Sequence, residues 1–213
     1  MARKARLCGL YAVTPDEPDT ARLLALVDAA MAGGANAIQY RNKSAPPQVR
    51  RAQAAQLARV CRGRGVLLIV NDDPLLARDV DAAGVHLGAD DGDLGAARAI
   101  VGEARMIGVS CYDDLGRAKH VVAQGADYVA FGSFFPSRVK PGARRPDVAL
   151  LAQAKSLGVP VVAIGGITAG NARMLAEAGA DAVAVISDVF AHDDVADVTR
   201  AAAAIAACFD SSK

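Results

Sequence analysis

The chain has 213 residues, enough to bury a large core in one domain or two. Hydrophobic residues make up 53% and aromatics only 4%, with no Trp, so the core must be built from Ala, Val, Leu and Ile, and a disordered chain is excluded. Lys and Arg number 24 against 23 Asp and Glu, mixed along the whole length, so no basic stripe points to nucleic acid or an anionic membrane surface.

The N-terminal stretch "MARKARLCGLYAV" carries cations but reaches Thr14 and Pro15 before a signal-peptide core is complete. No apolar run approaches the length of a membrane span. Cys8, Cys61, Cys111 and Cys208 are far apart and form no C-x-x-C pair, which argues against a zinc ribbon or redox motif. A cytoplasmic protein with reduced thiols is the expectation.

Eight short apolar runs follow in order: "LCGLYAVT", "AIQYRNK", "GVLLIVND", "GVHLG", "MIGVSC", "YVAFGS", "PVVAIGGI" and "AVAVISD". Each has strand length and strand composition and ends in polar or glycine residues. Between them the segments 20–32, 47–61, 113–124, 146–156, 170–178 and 193–207 read as helices. In the first, Leu23, Leu24 and Val27 form the apolar stripe and Thr20 is the expected cap. The phrases "AGGANAIQ", "AQGADYV" and "EAGADAV" read as helix-ending glycines before a return to the sheet.

Alternation of near-continuous apolar strands with helices predicts a parallel sheet covered by helices, and eight units in so short a chain favour a closed (β/α)8 TIM barrel over an open sheet. A single barrel domain over 1–213 is expected, with 1–6 and 209–213 as loose ends. Barrels of this kind place chemistry at the C-terminal ends of their strands. The unusual polar residues fall there. Strand two ends in Gln39, Arg41 and Lys43 on one face, with Ile38, Tyr40 and Asn42 on the other. Strand three ends in Asn71, Asp72 and Asp73, strand four in His86 followed by Asp90 and Asp91, strand five in Ser110, strand seven in Gly165, Gly166 and Thr168, and strand eight in Ile186 and Ser187.

Asp72 and Asp91 come from adjacent strands and repel unless a proton or cation separates them. A hard oxygen-liking ion, Mg2+, suits one or two carboxylates with water and phosphate completing its shell. With Arg41, Lys43 and Lys140 this makes a clamp for a diphosphate. "AIGGIT" offers a second anion position where glycines and a helix start meet. Taken alone, "NDD" also reads as a helix cap, "GADDGD" as a turn with an acidic helix start, and His86 as a hydrogen-bonded structural histidine.

The phrases "QYRNK", "VNDD", "GVHLGADD", "GVS", "GSFFPSRVKP", "AIGGI" and "VIS", in this order over nearly the whole chain, resemble the thiamine-phosphate synthase (thiamine-phosphate pyrophosphorylase) family. The resemblance implies a transferase that joins 4-amino-2-methyl-5-hydroxymethylpyrimidine diphosphate to a thiazole phosphate. It would release diphosphate by a dissociative, Mg-assisted substitution. It implies pyrimidine diphosphate contacts from Gln39, Tyr40, Arg41, Asn42, Lys43, Asn71, Ser110 and Lys140, and thiazole phosphate contacts from Ser137, Arg138, Val139, Gly166, Ile186 and Ser187. Asp72 and Asp91 would hold the metal, and Arg41, Lys43, Ser110 and Lys140 would form the catalytic group. The chain departs from the family pattern at three places: Ser137, Arg138 and Val139 stand where a Thr-x-Thr arrangement is common, Ala89 stands for Gln, and Asn42 stands for Glu.

Two phosphorylated small molecules are thus the expected partners, with neither nucleic acid nor membrane, and a homo-oligomer is compatible with the sequence. The rival readings are a thiazole tautomerase, which has no diphosphate to release, a sugar-phosphate isomerase or epimerase, which needs an acid–base pair the chain does not display, and a silent ligand-binding barrel.

Overall fold

The computed structural model describes residues 7–88, 93–136 and 145–210. In chain order the elements are β1 (Gly9–Val13), α1 (Thr20–Ala32), β2 (Ala35–Tyr40), α2 (Pro47–Arg64), β3 (Leu67–Asn71), α3 (Pro74–Asp79), β4 (Gly84–Leu87), α4 (Leu94–Val101), β5 (Met106–Tyr112), α5 (Leu115–Ala123), β6 (Tyr128–Gly132), α6 (Ala149–Ala154) with a 3-10 turn over Lys155–Leu157, β7 (Val161–Ile164), α7 (Ala172–Glu177), β8 (Ala182–Val185), α8 (Ser187–Phe190) and α9 (Val195–Ala206). Every neighbouring strand pair is parallel and β8 pairs back onto β1, so the sheet closes into the expected (β/α)8 barrel.

Closure divides the apolar residues into two layers, because successive strand side chains alternate between the barrel interior and the helix-facing side. The interior is lined by small and aromatic residues, among them Tyr11, Ala37, Ile69, Tyr128, Val162 and Ala184. The larger outer layer packs the helices onto the strands through residues such as Leu23, Leu57, Val70, Phe131, Leu151 and Ile205. Among the described residues, no helix is long and apolar enough to cross a membrane.

Helix starts show how the local sequence sets the elements. Asp19, Asp73, Asp93, Asp114 and Asp194 each accept a backbone N–H from the first turn of the helix that follows. These amides have no intrahelical partner, and a carboxylate also suits the positive end of the helix dipole. The cap of α1 is therefore Asp19, with Thr20 the first helical residue; this corrects the expectation of a Thr20 cap. Asp73 likewise takes the capping role in "NDD", which frees Asp72 for other work. At the other end of the chain, the Phe209 amide donates to the Ala206 carbonyl and its ring packs on the outer core.

Candidate active site

The strand alternation splits "QYRNK" into two sets. Gln39 points into the barrel, where its Nε2 donates to the Tyr11 hydroxyl at 2.7 Å. Tyr40 and Asn42 turn the other way, toward α2: the Tyr40 hydroxyl donates to Gln53 Oε1 at 2.8 Å, and Asn42 Nδ2 donates to the same oxygen at 3.0 Å and to the Glu17 carbonyl at 2.9 Å. Gln53 is fully buried. Tyr40 and Asn42 nevertheless line the same cavity as Arg41 and Lys43. Their side chains also fasten the end of β2 to α2 and to the loop before α1.

Arg41 and Lys43 are held at the rim. Arg41 exchanges backbone bonds with the buried Thr14 hydroxyl, and its guanidinium lies 3.3 Å from Asp16 Oδ1. Lys43 takes an Asp16 oxygen on its backbone N–H at 2.8 Å and sets its ammonium 3.0 Å from Asp72 Oδ2. Asp72 stands at φ 60°, in the left-handed region that costs a side-chain-bearing residue about 1–2 kcal/mol. Its backbone N–H donates to the His86 carbonyl at 2.8 Å, so adjacent β4 holds it in that conformation. The consequence is a carboxylate aimed at Lys43 instead of continuing the strand. Asn71, the last residue of β3, pairs in register with His86. It lines the same space, a cavity of about 340 Å³ that includes Arg41, Lys43, Asn71 and Asp72.

A chain of hydrogen bonds crosses the barrel interior from Gln39 to Ser110. The Tyr11 hydroxyl meets that of Tyr128 at 3.0 Å; Tyr128 in turn meets His86 Nδ1 at 3.0 Å, and His86 Nε2 meets the Ser110 hydroxyl at 2.9 Å. Burial holds both tyrosine hydroxyls neutral, well above the ordinary phenol range. Because Gln39 donates to Tyr11, the order that gives each hydroxyl proton in this chain an acceptor runs from Tyr11 to Tyr128 to His86 Nδ1, with the proton of neutral His86 on Nε2 toward Ser110. The bland reading of His86 as a hydrogen-bonded residue fits the geometry. Tyr11 and Tyr128 belong to the site's support and are not singled out by the sequence, since all four of the chain's tyrosines fall within strands.

On the opposite side, Gly166 follows β7, and Ile186 and Ser187 open α8. The Thr168 amide donates to Asn171 Oδ1 and the Ala169 amide to Asp188 Oδ2. Those two amides of the turn before α7 are thus taken. Asp91, Ser137, Arg138, Val139 and Lys140 lie outside the described residues.

Among the described residues no three His, Cys, Asp or Glu side chains gather to hold a metal ion. Magnesium does not require such a cluster, since it commonly uses one or two carboxylates and keeps its waters. Asp72 offers one hard carboxylate oxygen at the rim, donor chemistry that fits Mg2+.

A closed parallel barrel with cations, carboxylates and an amide gathered at the C-terminal rim is the framework of a phosphate-handling enzyme. Known proteins narrow this class. The family described as thiamine monophosphate synthase matches residues 10–189. The thiamine-phosphate synthase of Chromobacterium violaceum is 56% identical over 198 residues, covering 93% of this chain and 96% of that protein. That of Thiobacillus denitrificans is 57% identical over 196 residues, covering 92% of each. The structure of thiamine phosphate pyrophosphorylase from Pyrococcus furiosus superposes with a TM-score of 0.84 at 34% identity, covering 97% of this chain and 96% of that one. The chain belongs to the thiamine monophosphate synthase family and is a transferase of thiamine phosphate synthesis.

Proposed function

We propose that the enzyme joins 4-amino-2-methyl-5-hydroxymethylpyrimidine diphosphate to a thiazole phosphate, with loss of diphosphate, in the cytoplasm. The observation that carries the reading is the Lys43–Asp72 pair at 3.0 Å beside Arg41 and Asn71 at the barrel rim. A cation and a carboxylate side by side at the rim support the reading, since a diphosphate and its counter-ion need one of each. Asp72 and Asp91 would hold Mg2+. When bound, that ion supplies positive charge to the diphosphate oxygens.

The bond from the pyrimidine methylene carbon to the diphosphate oxygen breaks with its electron pair leaving on oxygen. The pyrimidine amino group donates electron density to the carbon left behind, and the thiazole nitrogen then supplies the pair for the new C–N bond. No protein nucleophile is needed. Arg41, Lys43 and Lys140 stabilise the negative charge that grows on the departing group, and donors already in place do this without reorganisation. Gln39 and Ser110, fixed from behind by the interior hydrogen bonds, orient the pyrimidine. Gly166, Ile186 and Ser187, with Ser137, Arg138 and Val139, receive the thiazole phosphate.

Lys43→Ala and Asp72→Asn test this, the second because Asn tolerates the same left-handed backbone. Each should lower kcat/KM for thiamine phosphate formation by about 100-fold or more with both substrates and magnesium chloride present. If the wild-type protein binds both substrates yet forms no thiamine phosphate, the reading is wrong.

A further inference from the structure

The cavity beside Lys43 is more cationic than the proposed clamp requires. It lies between the ends of β2 and β3 and the first turns of α2 and α3, with Tyr40, Val70 and Leu76 of the outer core layer in its wall. Three cations line it, Arg41, Lys43 and Arg50, against two carboxylates, Asp72 and Asp73. Each of the others is engaged: Arg41 with Asp16, Lys43 with Asp72, and Asp73 with the Leu76 amide. Arg50 is the one left over.

Its guanidinium has neither a hydrogen bond nor an ion pair among the described residues, and its Nε is buried without a partner. The neighbouring Arg51 on the same helix shows the ordinary arrangement, with its guanidinium 2.6 Å from Asp79. Burial pushes the Tyr40 phenol up to about 12, and the nearby Arg50 charge opposes that shift, so the cation sits close to the cavity wall. An N–H removed from water without an acceptor is costly, and a guanidinium more so than a neutral group. A planar fork of donors in a polar cavity of about 340 Å³ matches phosphate oxygens in both shape and charge.

We propose that Arg50 is a further anion-binding residue of this site, closing on the distal phosphate of a diphosphate that Lys43 holds from the other side. The proposal rests on the diphosphate reading above and adds to it a residue on α2. The distal phosphate does not take part in bond breaking, so Arg50 acts on binding more than on the chemical step.

Calorimetric titration with inorganic diphosphate, in magnesium chloride, tests it directly. Arg50→Gln should weaken binding about tenfold or more, the loss of a charge-assisted hydrogen bond pair. Arg59→Gln removes the same charge from an exposed position on the same helix and should stay within about twofold, since an exposed charge is screened. Arg50→Lys keeps charge and stem but loses the fork, and its binding should fall between the two; it also guards against a folding defect in the Gln variant. In steady-state kinetics, a raised KM for the pyrimidine diphosphate with unchanged KM for the thiazole phosphate assigns the contact to the substrate. A loss confined to inorganic diphosphate assigns it to the released product. Equal binding by wild type and Arg50→Gln, or an equal loss in Arg59→Gln, overturns the proposal. Activity separates the two readings: a protein that makes thiamine phosphate but ignores Arg50→Gln refutes only this inference, whereas one that loses diphosphate binding on substitution but makes no product refutes only the synthase reading.

Discussion

Gly108 on β5 shows how closely the interior is fitted around the site. A Cβ built at this position would lie 1.9 Å from Cζ of Tyr128, so only glycine lets the phenol ring cross the barrel and bring its hydroxyl to both Tyr11 and His86. The ring stacks at 27° on His86 and meets Tyr11 edge-on at 79°, which fixes the direction of the hydroxyl. Tyr128→Phe keeps the ring and removes two hydrogen bonds, leaving the Tyr11 hydroxyl and His86 Nδ1 short of a partner in a dry interior. It should cost about 2 kcal/mol in urea unfolding. It should also lower kcat about tenfold while leaving the KM for the thiazole phosphate unchanged. A loss of stability with kcat intact would reduce the network to structural support. Gln39 and Ser110 are visible in the sequence because a polar residue ending an apolar strand is unusual. Tyr11 and Tyr128 are not, because an aromatic inside an apolar phrase reads as packing until register places the two hydroxyls together.

The returns from helix to sheet repeat one device at β2, β6 and β8. The phrase Gly-Ala-Asn at 34–36 or Gly-Ala-Asp at 125–127 and 179–181 ends in a side chain that reaches back to the preceding strand. Asp127 Oδ2 accepts the Ile107 N–H at 2.8 Å, and Asp181 Oδ2 accepts the Val161 N–H at 2.9 Å. Asn36, with a donor instead of a second acceptor, gives its N–H to the Cys8 carbonyl at 3.2 Å. Arg98 and Lys155 then pair with the two carboxylates. Asp127→Ala leaves the amide of the fully buried Ile107 without its acceptor and should cost about 2–3 kcal/mol in urea unfolding. Because this end of the strands is remote from the rim chemistry, kcat at 25 °C should change by less than about twofold. The repeat itself, the eight strands and most of the helices are legible from period and composition alone. The partner of each Asp is not, since it lies one strand back in the barrel. Element ends shift by a few residues where caps decide them, as at Asp19 and at Leu115, which begins α5 two residues after the expected 113. The four-residue α8 carries no periodic stripe and has no signature to read.

A core without tryptophan uses two thiols as small apolar spacers, Cys61 on α2 and Cys111 on β5, both buried in the outer layer between strands and helices. Burial pushes each thiol from 9.0 up to about 12. For such a group the folded protein keeps a proton that the unfolded chain releases, so stability is full below pH 9, the unfolded value, and declines as pH rises toward 12. Between pH 8 and pH 10 each thiol should remove on the order of 1 kcal/mol, since one pKa unit corresponds to about 1.4 kcal/mol. Tyr40, raised to about 12 by burial, and the interior tyrosines begin to contribute in the same direction only near the ordinary phenol value of 10. Urea unfolding of the wild type and of a Cys61→Ala, Cys111→Ala double variant at pH 8 and pH 10 separates the two sources. The double variant starts from a lower stability, because each substitution leaves a small void. Its loss over the interval should nevertheless be smaller than the wild-type loss by about 2 kcal/mol. An equal loss in both proteins would assign the alkaline sensitivity to the buried tyrosines, Tyr40 of the helix-facing layer among them, and the two thiols would then have no part in it.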